Sequence, residues 1–259
     1  ALPILITDVE KKRKFVCVDT HDIPVVAVVD PEMMSSMPKG LTAATGMDAL
    51  THAIEGYTTK GAWEMTDMFN LKAIEVIARS LRDAVENKPE GREGMALGQY
   101  LTGMGFSNCG LGIVHSMAHK TGAAYSGGHI IHGAANAMYL PKVIKFNARN
   151  AEAAGRYAEI ARFIALPGST PEELVDALIA ELRKMNKELN IPYAIQNYGE
   201  GGVIAEQSII DEKEFNEKLS EVAKNAIADA CTGSNPRIPT QEEMEKLLTA
   251  VYYDKEIDF

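Results

Sequence analysis

The sequence predicts a mainly α protein, in which a short β-rich head at residues 1–38 precedes an all-helical domain at residues 39–259. Two observations lead to this fold class. Short apolar runs of β-type composition are confined to the first 30 residues. Downstream, apolar residues recur at three- and four-residue steps, the period of helices that bury one face. The head is too short to be a domain by itself.

The head contains three apolar runs that we expect to be strands: "LPILIT", "KFVCVD" and "VVAVVD". A charged turn, "DVEKKRK", separates the first two. The near-continuous valine content of the third run predicts a strand buried on both faces. Because the chain opens on an apolar run, with no initiator methionine and no leading turn, we expect it to be cut at its start.

Helix punctuation supports the helical domain. In "PGSTPEELVDALIAELRKMNKEL", Ser169 or Thr170 is the expected N-cap and Pro171 the first-turn proline, followed by acidic residues. Thr240 opens the last helix in the same way. Two glycine-bearing stretches, 197–207 and 231–237, interrupt the helical pattern and are predicted loops.

Composition excludes several classes of function. Lys and Arg total 26 against 36 Asp and Glu, and the net charge of −10 opposes binding to nucleic acid or anionic lipid. No apolar run approaches the ~18 residues of a membrane span. Cys17, Cys109 and Cys231 lie far apart, which argues against a disulfide framework and fits a cytoplasmic protein without a signal peptide. A chain of 259 residues needs no metal to fold.

The stretch "TGMDALTHAIEGY" carries the first candidate metal ligands. Asp48 and His52 are four residues apart, so on a helix beginning near Thr45 they project from the same face. That spacing suits two ligands of one ion. An Asp and a His at this spacing more often form a surface or capping pair, so the motif alone indicates a metal site only weakly.

Four of the six histidines lie between residues 115 and 132. His115 and His119 repeat the four-residue spacing in "HSMAHK", while His129 and His132 follow in "YSGGHIIHGAANA". A single histidine here would read as a satisfied core residue or an exposed loop residue. Together with Asp48 and His52, two of the four would supply three nitrogens and one carboxylate, which suits Fe(II), Zn or Mn and leaves a coordination position open.

Several segments resemble the iron-containing (group III) alcohol dehydrogenases. They are "TAATGMDALTHAIEGY", "GMGFSNCGLGIVHSMAHKTGA", "HGAANAMYLPKVIKFNA" and "CTGSNPR", and the similarity runs in order from about residue 4 to 250. The resemblance implies that the metal, Fe(II) with Zn as an alternative, is held by Asp48, His52, His115 and His132. It also implies that His119 lies beside the nicotinamide and substrate as a proton relay.

The fourth ligand is where this sequence departs from the family pattern. A spacing of about fourteen residues after His115 would select His129, whereas the "HG" context selects His132, and length changes in a loop cost little. We favour His132, because "GAANA" fixes the start of the next helix, and keep His129 as the competitor.

The resemblance also assigns three further residues. Phe106 and Cys231 are expected to line the substrate pocket, and Lys14 is expected to lie against the cofactor ribose. Each has a simpler interpretation: Phe106 as core packing, Cys231 as a buried thiol, and Lys14 as one member of a solvated charged run.

The implied function is that of an NAD(P)-linked alcohol dehydrogenase or aldehyde reductase for short-chain substrates, of the lactaldehyde, 1,2-propanediol or butanol type. The family binds its dinucleotide in an N-terminal α/β domain, of which residues 1–38 would be the remnant strands. About 150 residues would then be missing, the size of one domain, and the chain alone is expected to be inactive.

Two other functions remain open. The chain could be a non-catalytic metal-binding or oligomerisation domain, because unpaired strands in the head would expose ladder edges that favour a homo-oligomer. A helical metal-dependent phosphohydrolase fits the His and Asp content, but the one adjacent His-Asp dipeptide, of the kind usual in such enzymes, is His21-Asp22 in the head and not among the clustered histidines.

Overall fold

The computed structural model describes residues 3–8, 13–19, 21, 24–122 and 124–259, with side chains from residue 19 onward. A β-hairpin, formed by β1 (Pro3–Asp8) and β2 (Arg13–Val18), precedes the helices. The α-helices of this part of the chain are α1 (Lys39–Thr58), α2 (Glu64–Val85), α3 (Pro89–Phe106), α4 (Ile113–Thr121), α5 (His132–Asn147), α6 (Ala151–Phe163), α7 (Pro171–Glu188), α8 (Glu212–Ile227) and α9 (Gln241–Tyr253). The mainly α fold class is confirmed.

The head agrees with the sequence for two runs and differs for the third. β1 and β2 pair antiparallel, with Pro3 opposite Val18. Residues 25–30 form no strand, and Val25 and Val28 are 101% and 87% exposed, so the predicted buried strand is wrong. Valine favours a strand only where neighbouring strands cover it, and within the described residues the sheet contains β1 and β2 alone. The side chains of Lys14 and Cys17, both in β2, lie outside the described ones.

The predicted helix starts are confirmed. Thr170 is the N-cap of α7, and its hydroxyl accepts from the Glu173 N–H while the Glu173 carboxylate accepts from the Thr170 N–H. Thr240 and Glu243 form the same reciprocal box at the start of α9. Each box satisfies backbone donors that the first turn of a helix leaves unpaired, a contribution of about 1 kcal/mol.

Helix α1 lies at the centre of the helical body, packed against α2, α3 and α5. Its core side chains Met47, Leu50 and Ile54 are fully buried. Each such burial contributes roughly 1.5–3 kcal/mol, so α1 is a rigid platform for the polar residues on its remaining face.

A glycine brings the first turn of α5 directly onto α1. A Cβ on Gly133 would lie 2.0 Å from the Ala44 carbonyl oxygen and 3.2 Å from Asp48 Cβ. Only a residue without a side chain permits this approach, which brings His132 at the start of α5 beside Asp48. Among the described residues, no helix combines the length and apolar character that a membrane crossing requires.

Candidate metal centre

One face of α1 carries three groups at successive turns. Asp48, His52 and Glu55 are spaced i, i+4 and i+7, and their side chains point toward the first turns of α4 and α5. Glu55 is buried, and Asp48 and His52 are partly buried. Because α1 is packed on its other faces, its geometry fixes the relative positions of these groups.

Helix α4 contributes His115, whose side chain is 1% exposed. Its Nε2 lies 3.5 Å from Asp48 Oδ1, and its ring centroid is 4.1 Å from that of His52. Asp48, His52 and His115 offer one ligand atom each, all within 4.8 Å of one another. The structure therefore brings three of the four predicted metal ligands together.

Helix α5 contributes His132 and Asn136, one turn apart. His132 Nε2 lies 3.6 Å from Asp48 Oδ1. The Asn136 amide nitrogen donates to Asp48 Oδ1 at 2.5 Å and is 3.2 Å from both His115 Nε2 and His132 Nε2. One NH₂ group thus lies near three atoms of the kinds that bind metals, so their electron pairs converge on one electropositive group.

The structure places His129 differently. In its described hydrogen bond, the His129 carbonyl oxygen accepts from the Tyr198 hydroxyl at 3.3 Å, and that hydroxyl in turn accepts from the Ile131 N–H. The contact ties down the loop backbone ahead of α5. It is His132, not His129, that reaches Asp48.

The outward nitrogens of two imidazoles are tied by hydrogen bonds. His52 Nδ1 lies 2.8 Å from the Asp48 carbonyl oxygen, and His115 Nδ1 lies 2.6 Å from Glu55 Oε2. Both acceptors require a proton on Nδ1, so in the neutral ring, the form that binds a metal, each Nε2 carries the lone pair that a ligand needs. One carboxylate oxygen and three imidazole nitrogens form a donor set that fits a divalent transition metal.

Burial and mutual charge set the protonation of the cluster. Burial, followed by the charge of His115, lowers the pKa of His52 to about 3. Burial raises the pKa of Asp48, but the imidazoles of His52 and His115 outweigh it and hold that pKa well below its usual range. Burial lowers the pKa of His115, whereas hydrogen bonds to Asp48 and Glu55 raise it to about 9. At neutral pH Asp48 is therefore ionised, His52 neutral and His115 protonated, and a divalent ion that binds His115 would displace the proton on Nε2.

A second polar cluster lies one turn further along α4. His119 Nδ1 is 3.2 Å from Asp229 Oδ2, and Lys120 Nζ is 2.8 Å from the same oxygen. The Cys231 N–H donates to Asp229 Oδ1 at 3.1 Å. The His119 ring stacks on that of His132, with centroids 5.3 Å apart and planes inclined by 6°. His119 and Cys231 thus adjoin the first cluster.

The remaining predicted residues differ in their outcome. The Phe106 ring at the end of α3 lies 4.5 Å from the His52 ring, so it borders the first cluster. Burial, followed by the Asp229 carboxylate, raises the pKa of the Cys231 thiol, which is therefore an unreactive group at neutral pH. The side chain of Lys14 lies outside the described ones.

Three site residues were missed by sequence reasoning: Glu55, Asn136 and Asp229. Glu55 extends the Asp48–His52 stripe by one turn, and Asn136 is one turn after His132, so helical spacing could have indicated both. Asp229 precedes Cys231 by two residues at the end of a different helix, and no local spacing links it to His119.

Comparison with known proteins shows that a family model matches most of this chain. The family model described as "Fe-containing alcohol dehydrogenase family, C-terminal" matches residues 42–252. The NADPH-dependent butanol dehydrogenase of Clostridium saccharobutylicum is 48% identical over 255 residues, which cover 98% of this chain and 62% of that protein. The lactaldehyde reductase of Escherichia coli K12 is 46% identical over 246 residues, 94% of this chain and 59% of that protein.

A solved structure is also similar to most of this chain. The alcohol dehydrogenase from Oenococcus oeni superposes with a TM-score of 0.85 at 33% identity, covering 97% of this chain and 62% of that one. The chain spans about three-fifths of the length of each of these three proteins.

Proposed function

This chain belongs to the iron-containing alcohol dehydrogenase family and matches its C-terminal part, and on that premise we propose that it is the metal-binding part of an NAD(P)-linked alcohol dehydrogenase or aldehyde reductase. The observation that carries the proposal is that Asp48 Oδ1, His115 Nε2 and His132 Nε2 all lie around one point, the amide nitrogen of Asn136. The His52 ring lies next to the His115 ring. The division of the chain into residues 1–38 from a cofactor domain and 39–259 as the metal-binding domain belongs to the same proposal.

The proposed ligands are Asp48, His52, His115 and His132. His132 is preferred to His129 because its Nε2 lies near Asp48 Oδ1, whereas the described contact of His129 is made by its backbone. Fe(II) is the proposed ion, from the family, with Zn as the alternative that the same donor set accepts.

An ion held by these ligands would act as a Lewis acid on the oxygen of an alcohol or aldehyde, and a nicotinamide would exchange the hydride. The chain's own residues would orient the substrate and move a proton. With Nδ1 of His119 held by Asp229, the other ring nitrogen is left to exchange a proton with the substrate. Lys120 pairs with the same oxygen of Asp229 and keeps its carboxylate in place.

Short-chain alcohols and aldehydes are the proposed substrates. Phe106 lies against the His52 ring, and Cys231 shares the Asp229 carboxylate with His119, so both would border a substrate on the ligand cluster. The names of the relatives, butanol dehydrogenase and lactaldehyde reductase, suggest three- and four-carbon substrates. The contact of Lys14 with the cofactor ribose stays a proposal from the family.

We expect the 259-residue chain by itself to bind one metal ion and to show negligible turnover, because the family resemblance implies that the dinucleotide is bound mainly by an N-terminal domain, whereas the family model that matches this chain is the C-terminal one. NAD-dependent alcohol oxidation by the purified chain alone would contradict this expectation.

The test is elemental analysis of chain purified without oxygen, with His132→Ala and His129→Ala as a matched pair. The wild type and His129→Ala should retain about one Fe or Zn per chain, whereas His132→Ala should lose it, because removal of a ligand opens the donor set. Loss of metal only in His129→Ala would reverse the ligand assignment. Absence of metal from all three, even when metal is supplied, would end the proposal.

A homo-oligomer is also proposed, on a separate observation. Val25, Val26 and Val28 are exposed in the segment that follows the β-hairpin in sequence, and a two-stranded sheet has unpaired edges. Light scattering should give a mass above that of one chain, and a clean monomer would contradict the proposal.

A further inference from the structure

We propose that Glu55 is a positioning residue of the metal centre, which fixes the tautomer and orientation of His115 so that Nε2 faces the ion. The inference rests on the proposed function, because it assigns His115 as a ligand. It adds a residue that the ligand set does not contain.

Both carboxylate oxygens of Glu55 are committed to α4. Oε2 lies 2.6 Å from His115 Nδ1, and Oε1 accepts from the Val114 N–H at 2.8 Å. The side chain is 4% exposed, so water does not compete for either contact. Glu55 therefore holds both the ring of His115 and the backbone turn from which that ring projects.

The contact with Nδ1 decides which ring nitrogen can bind an ion. A carboxylate is an acceptor, so Nδ1 must carry a proton, and in the neutral ring that binds an ion the lone pair is then on Nε2. His115 Nε2 is the atom that lies 3.5 Å from Asp48 Oδ1. A negative partner on Nδ1 also makes the imidazole a stronger ligand, as carboxylate partners of metal-bound histidines commonly do.

The fold makes room for this contact. A Cβ on Gly112, the residue before α4, would lie 2.6 Å from Glu55 Oε1, so the glycine admits the carboxylate to the helix start. Since Asp48, His52 and Glu55 share one face of α1, a single helix presents two proposed ligands and the partner of a third.

The decisive substitution is Glu55→Gln, which keeps shape and removes charge. If the glutamine oxygen accepts from the Val114 N–H, its NH₂ faces His115 Nδ1 and drives the ring proton to Nε2, where it blocks the ion. If the amide is reversed, two donors meet at Val114. Either arrangement loses one of the contacts.

Asn235→Ala is the matched control. Asn235 Oδ1 accepts from the Ile113 N–H in the same first turn of α4, and the residue is buried, but it has no described contact with His115. The control therefore weakens the start of α4 without changing the partner of the ligand. Circular dichroism checks that both variants fold.

Binding of Co(II), followed by its visible spectrum, is the first readout. Glu55→Gln should bind about 10–100-fold more weakly than wild type, the usual effect of an outer-shell partner, while Asn235→Ala stays within about twofold. Equal affinity of Glu55→Gln and wild type, or equal losses in both variants, would overturn the inference.

The second readout is independent of metal. In ¹⁵N-labelled, metal-free protein, the His115 Nδ1 proton should give a strongly downfield signal that Glu55→Gln abolishes and Asn235→Ala retains. A signal unchanged in Glu55→Gln would contradict the positioning role. If the wild-type chain binds no metal, the proposed function fails, while this spectrum still decides whether Glu55 sets the tautomer.

Discussion

Two histidines one turn apart on α4 form carboxylate pairs in different surroundings. His115 with Glu55 is buried, and both oxygens of Glu55 bind α4. His119 with Asp229 is 26% and 9% exposed, and Asp229 also binds Lys120 and the Cys231 N–H. The first pair has a fixed geometry without access to solvent, whereas the second has a partly exposed ring and a carboxylate that also pairs with a lysine.

The difference indicates two uses of the same pair of groups. A fixed, buried imidazole suits a metal ligand, because its unprotonated nitrogen must stay in one place. A partly exposed imidazole beside the cluster suits proton exchange, because protons must reach it from substrate or solvent. This distinction is tested by variants in which metal affinity and the chemistry of the second pair are measured separately.

The largest effect is expected from removing the carboxylate of the buried cluster. Asp48→Ala deletes the oxygen that His115, His132 and Asn136 share. Co(II) affinity should fall by more than the roughly 10–100-fold expected for an outer-shell partner. Isothermal titration calorimetry measures it, and retention of wild-type affinity would show that Asp48 is not a ligand.

The next largest effect is expected from disturbing the close approach of α5 to α1. Gly133→Ala would place a Cβ 2.0 Å from the Ala44 carbonyl oxygen, which forces α5 away from α1 at His132. The free energy of unfolding should fall by about 1–3 kcal/mol, the usual cost of overpacking a core. Metal affinity should fall as well, because His132 moves with α5. Urea denaturation measures the first quantity.

Gly103→Ala is the matched control for this substitution. Gly103 lies inside α3, and a Cβ at this position would have no neighbouring atom within 4 Å. The substitution should stabilise the chain by roughly 0.5–1 kcal/mol, through helix propensity, and leave metal affinity unchanged. Similar losses in the two variants would mean that the close approach of α5 to α1 has no special importance.

The second pair is tested through its cysteine. The Asp229 carboxylate contributes, after burial, to the raised pKa of Cys231, so Asp229→Asn should favour the thiolate and speed its alkylation severalfold. Metal affinity should stay within about twofold, since Asp229 has no described contact with the ligands. Iodoacetamide labelling followed by mass spectrometry measures the rate at Cys231, with buried Cys109 as the internal reference.

A slower or unchanged rate at Cys231 would contradict the electrostatic role given to Asp229. A large loss of metal affinity in the same variant would contradict the separation of the two pairs, because the second pair would then support the first.

The sequence predicted the parts of this site that local spacing determines. Asp48 with His52, and His115 with His119, share helix faces because residues four apart must do so. The partners of these histidines could not be predicted in the same way: Glu55 and His115 are 60 positions apart, and His119 and Asp229 are 110 apart. The valines of residues 25–30 misled the prediction because burial, on which a central strand depends, is a property of neighbours.

The smallest effect concerns the loop that leads to α5. Glu214 accepts from the Ser126 N–H at 2.8 Å and from Lys218 at 2.7 Å. The Lys218 hydrogen bond, followed by that of Ser126, lowers the pKa of Glu214 to about 2. Because the folded-state pKa lies below the ordinary value, the contact stabilises the loop at neutral pH and is lost as the pH falls toward 2.

An NMR titration of the Ser126 amide should therefore have its midpoint near pH 2, rather than near the usual glutamate value of about 4.3. Glu214→Gln should remove that transition and leave the buried cluster unaffected, since Glu214 binds the loop and not the ligands. A midpoint at the ordinary glutamate value would mean that Lys218 and Ser126 do not hold the carboxylate in solution. A loss of metal affinity in Glu214→Gln would instead mean that the loop anchor helps to set the position of His132.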